Sequence, residues 1–306
     1  MVCSVHIIFA LMKCFGTACL LLILISACEK AINFNLDKSD SQLVVDASIE
    51  NSKAPIVFLS KSLDYFSEIT PDILSASFVH GAKVTISNDS TSAILKEYAV
   101  PSDSIGYVVY YYSIDSSLGP NAFLGAFGEH YSLSITVNAQ QYTAETTIPV
   151  LTKKIDSLWW IPAPNNPDTT KVVVKARVTD PPGLGNYIRY FTNIDGGPFF
   201  PGLNSVFDDQ IVDGTTYDID VDKGVNRNQS IDLENYAFFY RGDTAGVRFC
   251  NIDKATFDFW RTMEYNYQSI GNPFSSPTKV LGNISNGALG YFGGYAAQYV
   301  YLIIPK

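Results

Sequence analysis

The sequence predicts a mostly β protein. An antiparallel sandwich is expected over residues 41–150, followed by a second β-rich domain over 151–306 with one helix near 253–267. Three observations carry this. Short runs of period-two alternation recur along the chain, the signature of strands with one buried face. The chain holds 19 Tyr and 19 Phe with only 17% charged residues, a composition that suits pleated, half-buried surfaces. Only one segment shows a period of three to four.

The elements follow in order. In "SQLVVDASIE" Leu43, Val45, Ala47 and Ile49 share one face, with Asp46, Ser48 and Glu50 on the other. "PIVFLSKSL", "AKVTISND" and "YVVYYYSI" read as further strands, the second of these closed by the turn-tolerant Asn88-Asp89. "HYSLSITVNAQQYTAETTIP" is the clearest hairpin, with Tyr131, Leu133, Ile135 and Val137 on one face and a turn at 138–140. Pro149 ends this first set, and Lys153-Lys154 read as exposed residues at a domain boundary. A proline-rich loop, "PAPNNPD", precedes the strands "KVVVKARVTD", "NYIRYFTNI" and "AQYVYLIIP". Between the last two, Phe257, Trp260, Met263/Glu264 and Tyr267 fall on one helical face. Asp253 stands ready as a cap, with Gly271 and Pro273 as stops.

The N-terminus carries an address. Lys13 divides two apolar stretches, each too short to span a membrane. The second ends in Ile25-Ser26-Ala27-Cys28, which resembles a bacterial lipobox. That resemblance implies a signal peptide over 1–27, cleavage after Ala27, lipid on Cys28, and a lipidated tether over 28–40. A multiply acylated cysteine satisfies the need for more than one chain in stable anchoring, at about 0.8 kcal/mol per buried methylene. An uncleaved N-terminal helix is the plainer alternative. Met12-Lys13 also reads as a natural start for such a signal.

Of five cysteines, Cys3, Cys14 and Cys19 lie in the removed segment and Cys28 takes lipid. Cys250 is left alone, without a disulfide partner, in an apolar "GVRFCNI" that suits a buried small hydrophobe. With 21 basic and 30 acidic residues and a net charge of −9, the chain lacks the basic surface that nucleic acid requires.

The residues offer little chemistry. His80 and His130 sit at strand ends, and no nucleophile elbow, phosphate loop, dinucleotide fingerprint or zinc spacing occurs. No catalytic residue, metal or cofactor is therefore expected, and the chain is read as not an enzyme. Asp218, Asp220 and Asp222 alternate like the start of a calcium loop. Lys223 and Gln229 stand where that loop needs glycine and glutamate, so a strand with its aspartates in water is the stronger reading. Asp208-Asp209 would point to opposite sides of a strand and make no glycosidase pair. "NISNGALGYFGGYAAQY" offers Tyr291, Phe292 and Tyr295 as a ligand-stacking rim. The competing reading has glycines making turns and aromatics, like Trp159-Trp160, filling core.

With these residues in view, the chain resembles the Bacteroidota lipoprotein family catalogued as domain of unknown function 4249. The matching pieces run through the mature chain: the lipobox, "LVVDASI", "GAKVTISND", "GEHYSLSITVNAQQYTAETTIP", "KKIDSL", "DPPGLGNYIRYF", "FDDQIVDGTTY" and "FSSPTKVLGNISNGALGYFGGYAA". The doubled proline and tight spacing of "DPPGLGNYIRY" depart from the pattern. The resemblance implies an immunoglobulin-like N-terminal sandwich in an outer-membrane lipoprotein. It also implies a TonB-dependent outer-membrane receptor as partner, since members tend to be encoded beside one, and it brings no catalytic residues. Cys28-Glu29-Lys30-Ala31 is a poor match to the acidic export signal of some Bacteroidota lipoproteins, which leaves both membrane faces open.

Three readings of function stand. The first is a non-enzymatic accessory subunit of a TonB-dependent transporter. The second is a stand-alone surface lipoprotein that binds glycan or peptide. The third is a hydrolase, which a cleft with two carboxylates at catalytic separation would favour.

Overall fold

An eight-stranded sheet forms the spine of the structure, a computed structural model. It describes residues 41–306 apart from 65–67, 103–105, 271, 273 and 277. The expected signal peptide over 1–27, with Ala27, Cys28 and the expected tether over 28–40, lies outside the described residues. Strands appear where side chains alternate. β1 (Leu43–Glu50) buries Leu43, Val45, Ala47 and Ile49. The large sheet runs β12-β11-β15-β16-β1-β2-β6-β5, from Phe200–Phe207, Tyr187–Ile194, Thr244–Ile252 and Leu289–Ile303, across β1, to Ile56–Lys61, Tyr107–Ser113 and Lys96–Ser102. Its pairs are antiparallel except β1 with β16, which run parallel from Val44↔Leu289 to Glu50↔Tyr295.

Two four-stranded sheets share the cover of one face. β3 (Lys83–Ser87), β4 (Ser92–Ile94), β7 (His130–Val137) and β8 (Gln140–Thr147) make the first. Its hairpin turns at Asn138 and Ala139, both at positive φ (49° and 61°), the geometry of a two-residue turn that follows strand twist. The second sheet contains β9 (Lys154–Pro162), β10 (Lys171–Thr179), β13 (Thr216–Val221) and β14 (Phe239–Tyr240). Core residues divide the same way. Val45, Tyr131, Leu133 and Phe292 belong to one cluster, and Val174, Val178, Phe239 and Phe249 to another. The cores separate near residue 150, yet the large sheet is continuous across both and residues 41–306 form one compact unit.

The other face receives the long helix. Because side chains alternate along a strand, β16 sends Phe292 and Ala296 to the sandwich side and Tyr291, Tyr295 and Ala297 to a third cluster with Phe257 and Phe259. Those two phenylalanines stand on helix α2 (Lys254–Ser269), the longer counterpart of a short helix α1 (Pro71–Ser77). Asp253 caps α2, its carboxylate accepting Thr256 N–H at 2.8 Å. The short helix was not foreseen, although its signal is present: Thr70 caps it and Pro71 stands at its first turn.

The glycines of β16 make close approaches rather than turns. A Cβ on Gly294 would lie 2.3 Å from the Thr147 carbonyl oxygen, and one on Gly290 would lie 1.8 Å from that of Val45. The strand therefore extends through a stretch the sequence reading divided.

Two expectations of exposure are corrected. Lys153 is fully buried, its ammonium 2.8 Å from Asp180 Oδ1. Glu50 is buried between Arg248, at 2.5 Å, and Lys53, at 2.8 Å. Cys250 lies beneath α2, wholly enclosed, and burial pushes its thiol up to about 11. It should resist a thiol-specific reagent in the native protein and react in full after denaturation. Prompt labelling without unfolding would contradict this packing.

Candidate functional site

A cleft of about 1080 Å³ opens at the free edges of the second sandwich. β13 ends its sheet and β12 ends the large one, so at this side the two layers part. Tyr190, Asn204, Phe207, Glu264, Tyr265 and Gln268 line one wall, from β11, β12 and α2. Tyr217, Ile219, Val221 and Asp222 line the other, from β13 and its exit. Ile211, 96% exposed, stands at the mouth with the half-exposed Phe207 and Tyr265. Tyr190 and Phe207 stack at 6.2 Å. Gly202 makes room for this arrangement, since a Cβ there would lie 2.1 Å from the Tyr190 hydroxyl.

Buried polar bonds hold the first wall rigid. Ser205 donates to Glu264 from its backbone N–H at 2.9 Å and from Oγ at 2.5 Å. Arg227 donates to the same carboxylate at 3.0 Å. Arg189 donates to Ser205 Oγ and Tyr295, and lies 3.4 Å from the Trp260 ring centre. Together these tie α2 to β11, β12 and β16 through one buried carboxylate and two arginines.

Five carboxylates line the cleft, and four have a cation of their own. Asp208 faces Arg261 at 3.7 Å, and Asp218 meets Arg177 at 2.8 Å. Asp220 pairs with Lys175, and Glu264 with Arg227. The Asp218 and Asp220 pairs follow from register, since Arg177 and Lys175 lie directly across the ladder. Asp222 lies one residue past the strand, and among the described residues no basic group pairs with it. Tyr236 from the loop before β14, Asp220 from β13 and Tyr190 from β11 face it. Burial, and then the charge of Asp220, raise its carboxyl above the ordinary range.

That shift has a sign. A raised carboxyl means the folded protein holds this proton more tightly than the unfolded chain, so stability falls as pH rises through the folded value. Asp222→Asn should melt higher than wild type at pH 7, with the difference vanishing below the ordinary carboxylate value of 3.8. A variant melting lower at pH 7 would show that the charge is welcome there.

Asp222 thus belongs to a cleft wall, while Ile219 and Val221 point inward as the alternation implied. A separate acidic group lies at the turns after β10 and β12. Asp180, Asp209 and Asp213 each bring one oxygen within 4.8 Å of the others. Its charge is answered from inside: Lys153 meets Asp180, while Asp209 accepts Gly185 N–H and Asn186 N–H, both at 2.8 Å.

Tyr291, Phe292 and Tyr295 are all buried, Phe292 completely. Tyr291 stacks on Phe259 at 4.4 Å, and Tyr295 accepts from Trp260 Nε1 at 3.1 Å. Their rings fill cores on opposite faces of β16, so a ligand could meet Tyr291 and Tyr295 only after α2 moved, and Phe292 only after the first small sheet lifted away. The histidines serve strand edges: His80 Nδ1 lies 2.6 Å from Glu97, and His130 Nε2 lies 3.8 Å from Glu145.

Among the described residues no helix is long and apolar enough to cross a membrane. No curated protein matches the chain. The family described as Domain of unknown function (DUF4249) matches residues 29–299, nearly everything after Cys28, and the chain belongs to that family.

Proposed function

We propose that the protein is an outer-membrane lipoprotein, anchored through Cys28, that acts without chemistry of its own as an accessory subunit of a TonB-dependent transporter. In this reading the cleft between β12, β13 and α2 holds the solute. The cleft carries the proposal, because its aromatic walls and isolated polar groups suit recognition. Its carboxylates are poor catalysts. Glu264 is spent on Ser205 and Arg227, and Asp208, Asp218 and Asp220 each face a cation. A glycosidase needs a second carboxylate free to act opposite Asp222.

A pull-down tests the reading. The full chain, tagged after Lys306, should leave the membrane in mild detergent with a large β-barrel at equal stoichiometry, and Cys28→Ala should take up no palmitate label. A second reading, a stand-alone surface binder of glycan or peptide, draws on the fact that one chain supplies every wall of the cleft. A protein that elutes alone would favour it.

A further inference from the structure

We infer that the cleft takes an organic cation: a ligand with an apolar or aromatic body and one ammonium or guanidinium group that meets Asp222. The inference rests on reading the cleft as a binding site, and it names the class of solute. Charge matching carries it. Four of the five cleft carboxylates are matched within this chain, each by a different basic side chain. Asp222 alone is left over, half-buried, and among the described residues no lysine or arginine pairs with it. A carboxylate partly withdrawn from water without a cation is a cost to the folded protein, which a cationic ligand removes on binding.

The surroundings fit the same ligand. Tyr236 reaches Asp222 through its hydroxyl and Tyr190 lies close to it, so the carboxylate sits at an aromatic end of the cleft, a setting that suits an organic cation. Away from this end the walls turn apolar, with Phe207, Tyr217 and Ile219. Ile211 and Phe207 remain exposed at the mouth, ready to cover the body of the ligand. An anion would meet Asp222 unscreened. A neutral sugar would leave the carboxylate charge unanswered.

The test is calorimetry on the full lipidated chain in detergent, with two probes of equal shape. N-acetyl-phenylalanyl-arginine amide carries one positive charge, and the citrulline analogue carries none. The arginine probe should bind about tenfold more tightly than its analogue, the worth of one charge-assisted hydrogen bond in a partly dry site. Asp222→Asn should make the two probes equal. Asn still accepts from the Tyr236 hydroxyl, so this variant keeps its fold, and a melting temperature at pH 7 no lower than that of wild type checks that. Asp220→Asn, which removes a matched carboxylate, should leave the preference in place. Equal binding to the wild type, no binding of either probe, or a preference that survives Asp222→Asn would each overturn the inference. A chain that copurifies with a barrel yet shows no preference would sink the cation assignment alone. One that prefers the cation but elutes without a barrel would sink the transporter reading alone.

Discussion

Lys153→Met should cost the protein about 3–5 kcal/mol, the usual result of removing one partner from a buried ion pair. Lys153 is fully enclosed, and its ammonium lies 2.8 Å from Asp180 Oδ1. Methionine fills similar space but leaves Asp180 buried beside Asp209 and Asp213. The double variant Lys153→Met/Asp180→Asn should recover much of the loss, because the orphaned charge goes with its partner. Chemical denaturation of the single and double variants measures both effects. A single variant that loses under 1 kcal/mol would mean the pair is hydrated rather than buried. The location gives the pair its weight. Lys153 lies in the crossing from the first small sheet to the second. Asn251 of β15 accepts its backbone N–H at 3.0 Å and donates to its carbonyl at 2.7 Å.

Phe292→Ala should cost a comparable amount, about 3–5 kcal/mol, as for other large rings removed from a core. Phe292 is wholly buried on the sandwich face of β16, packed with strands of the first small sheet. Its backbone is also held: Asn283 Oδ1 accepts Phe292 N–H at 2.8 Å and Asn283 Nδ2 donates to its carbonyl at 2.9 Å. Collapse of neighbouring atoms into the space is hindered by Gly294, which already brings β16 against the Thr147 carbonyl. Thermal melts of the variant give the magnitude. A variant that kept its stability while losing a ligand would return this residue to a binding rim.

Much of this architecture is legible from local pattern. The alternation of β1, the hairpin over 130–147 and the Asp253 cap all act over a few residues, and each forms as read. The features that escaped depend on partners distant in sequence. Gly290, Gly293 and Gly294 look like turn residues until β1, α2 and β8 are known to press on them. Lys153 looks exposed until Asp180 is placed beside it. The parallel pair of β1 with β16 joins the two ends of the described chain, beyond the reach of any local signal. The cleft was half legible. Asp218, Asp220 and Asp222 stood out by spacing, but which of them keeps a free charge depends on the β10–β13 register.

The claim at the centre of this account is that the cleft between β12, β13 and α2 is the working surface. Hydrogen exchange on the complex isolated from the outer membrane, against the protein alone, tests it most directly. Added protection should fall on residues 204–222 and 261–268, the cleft walls. Protection confined to β5 and β6, at the opposite edge of the large sheet, would contradict the account and move the functional surface there.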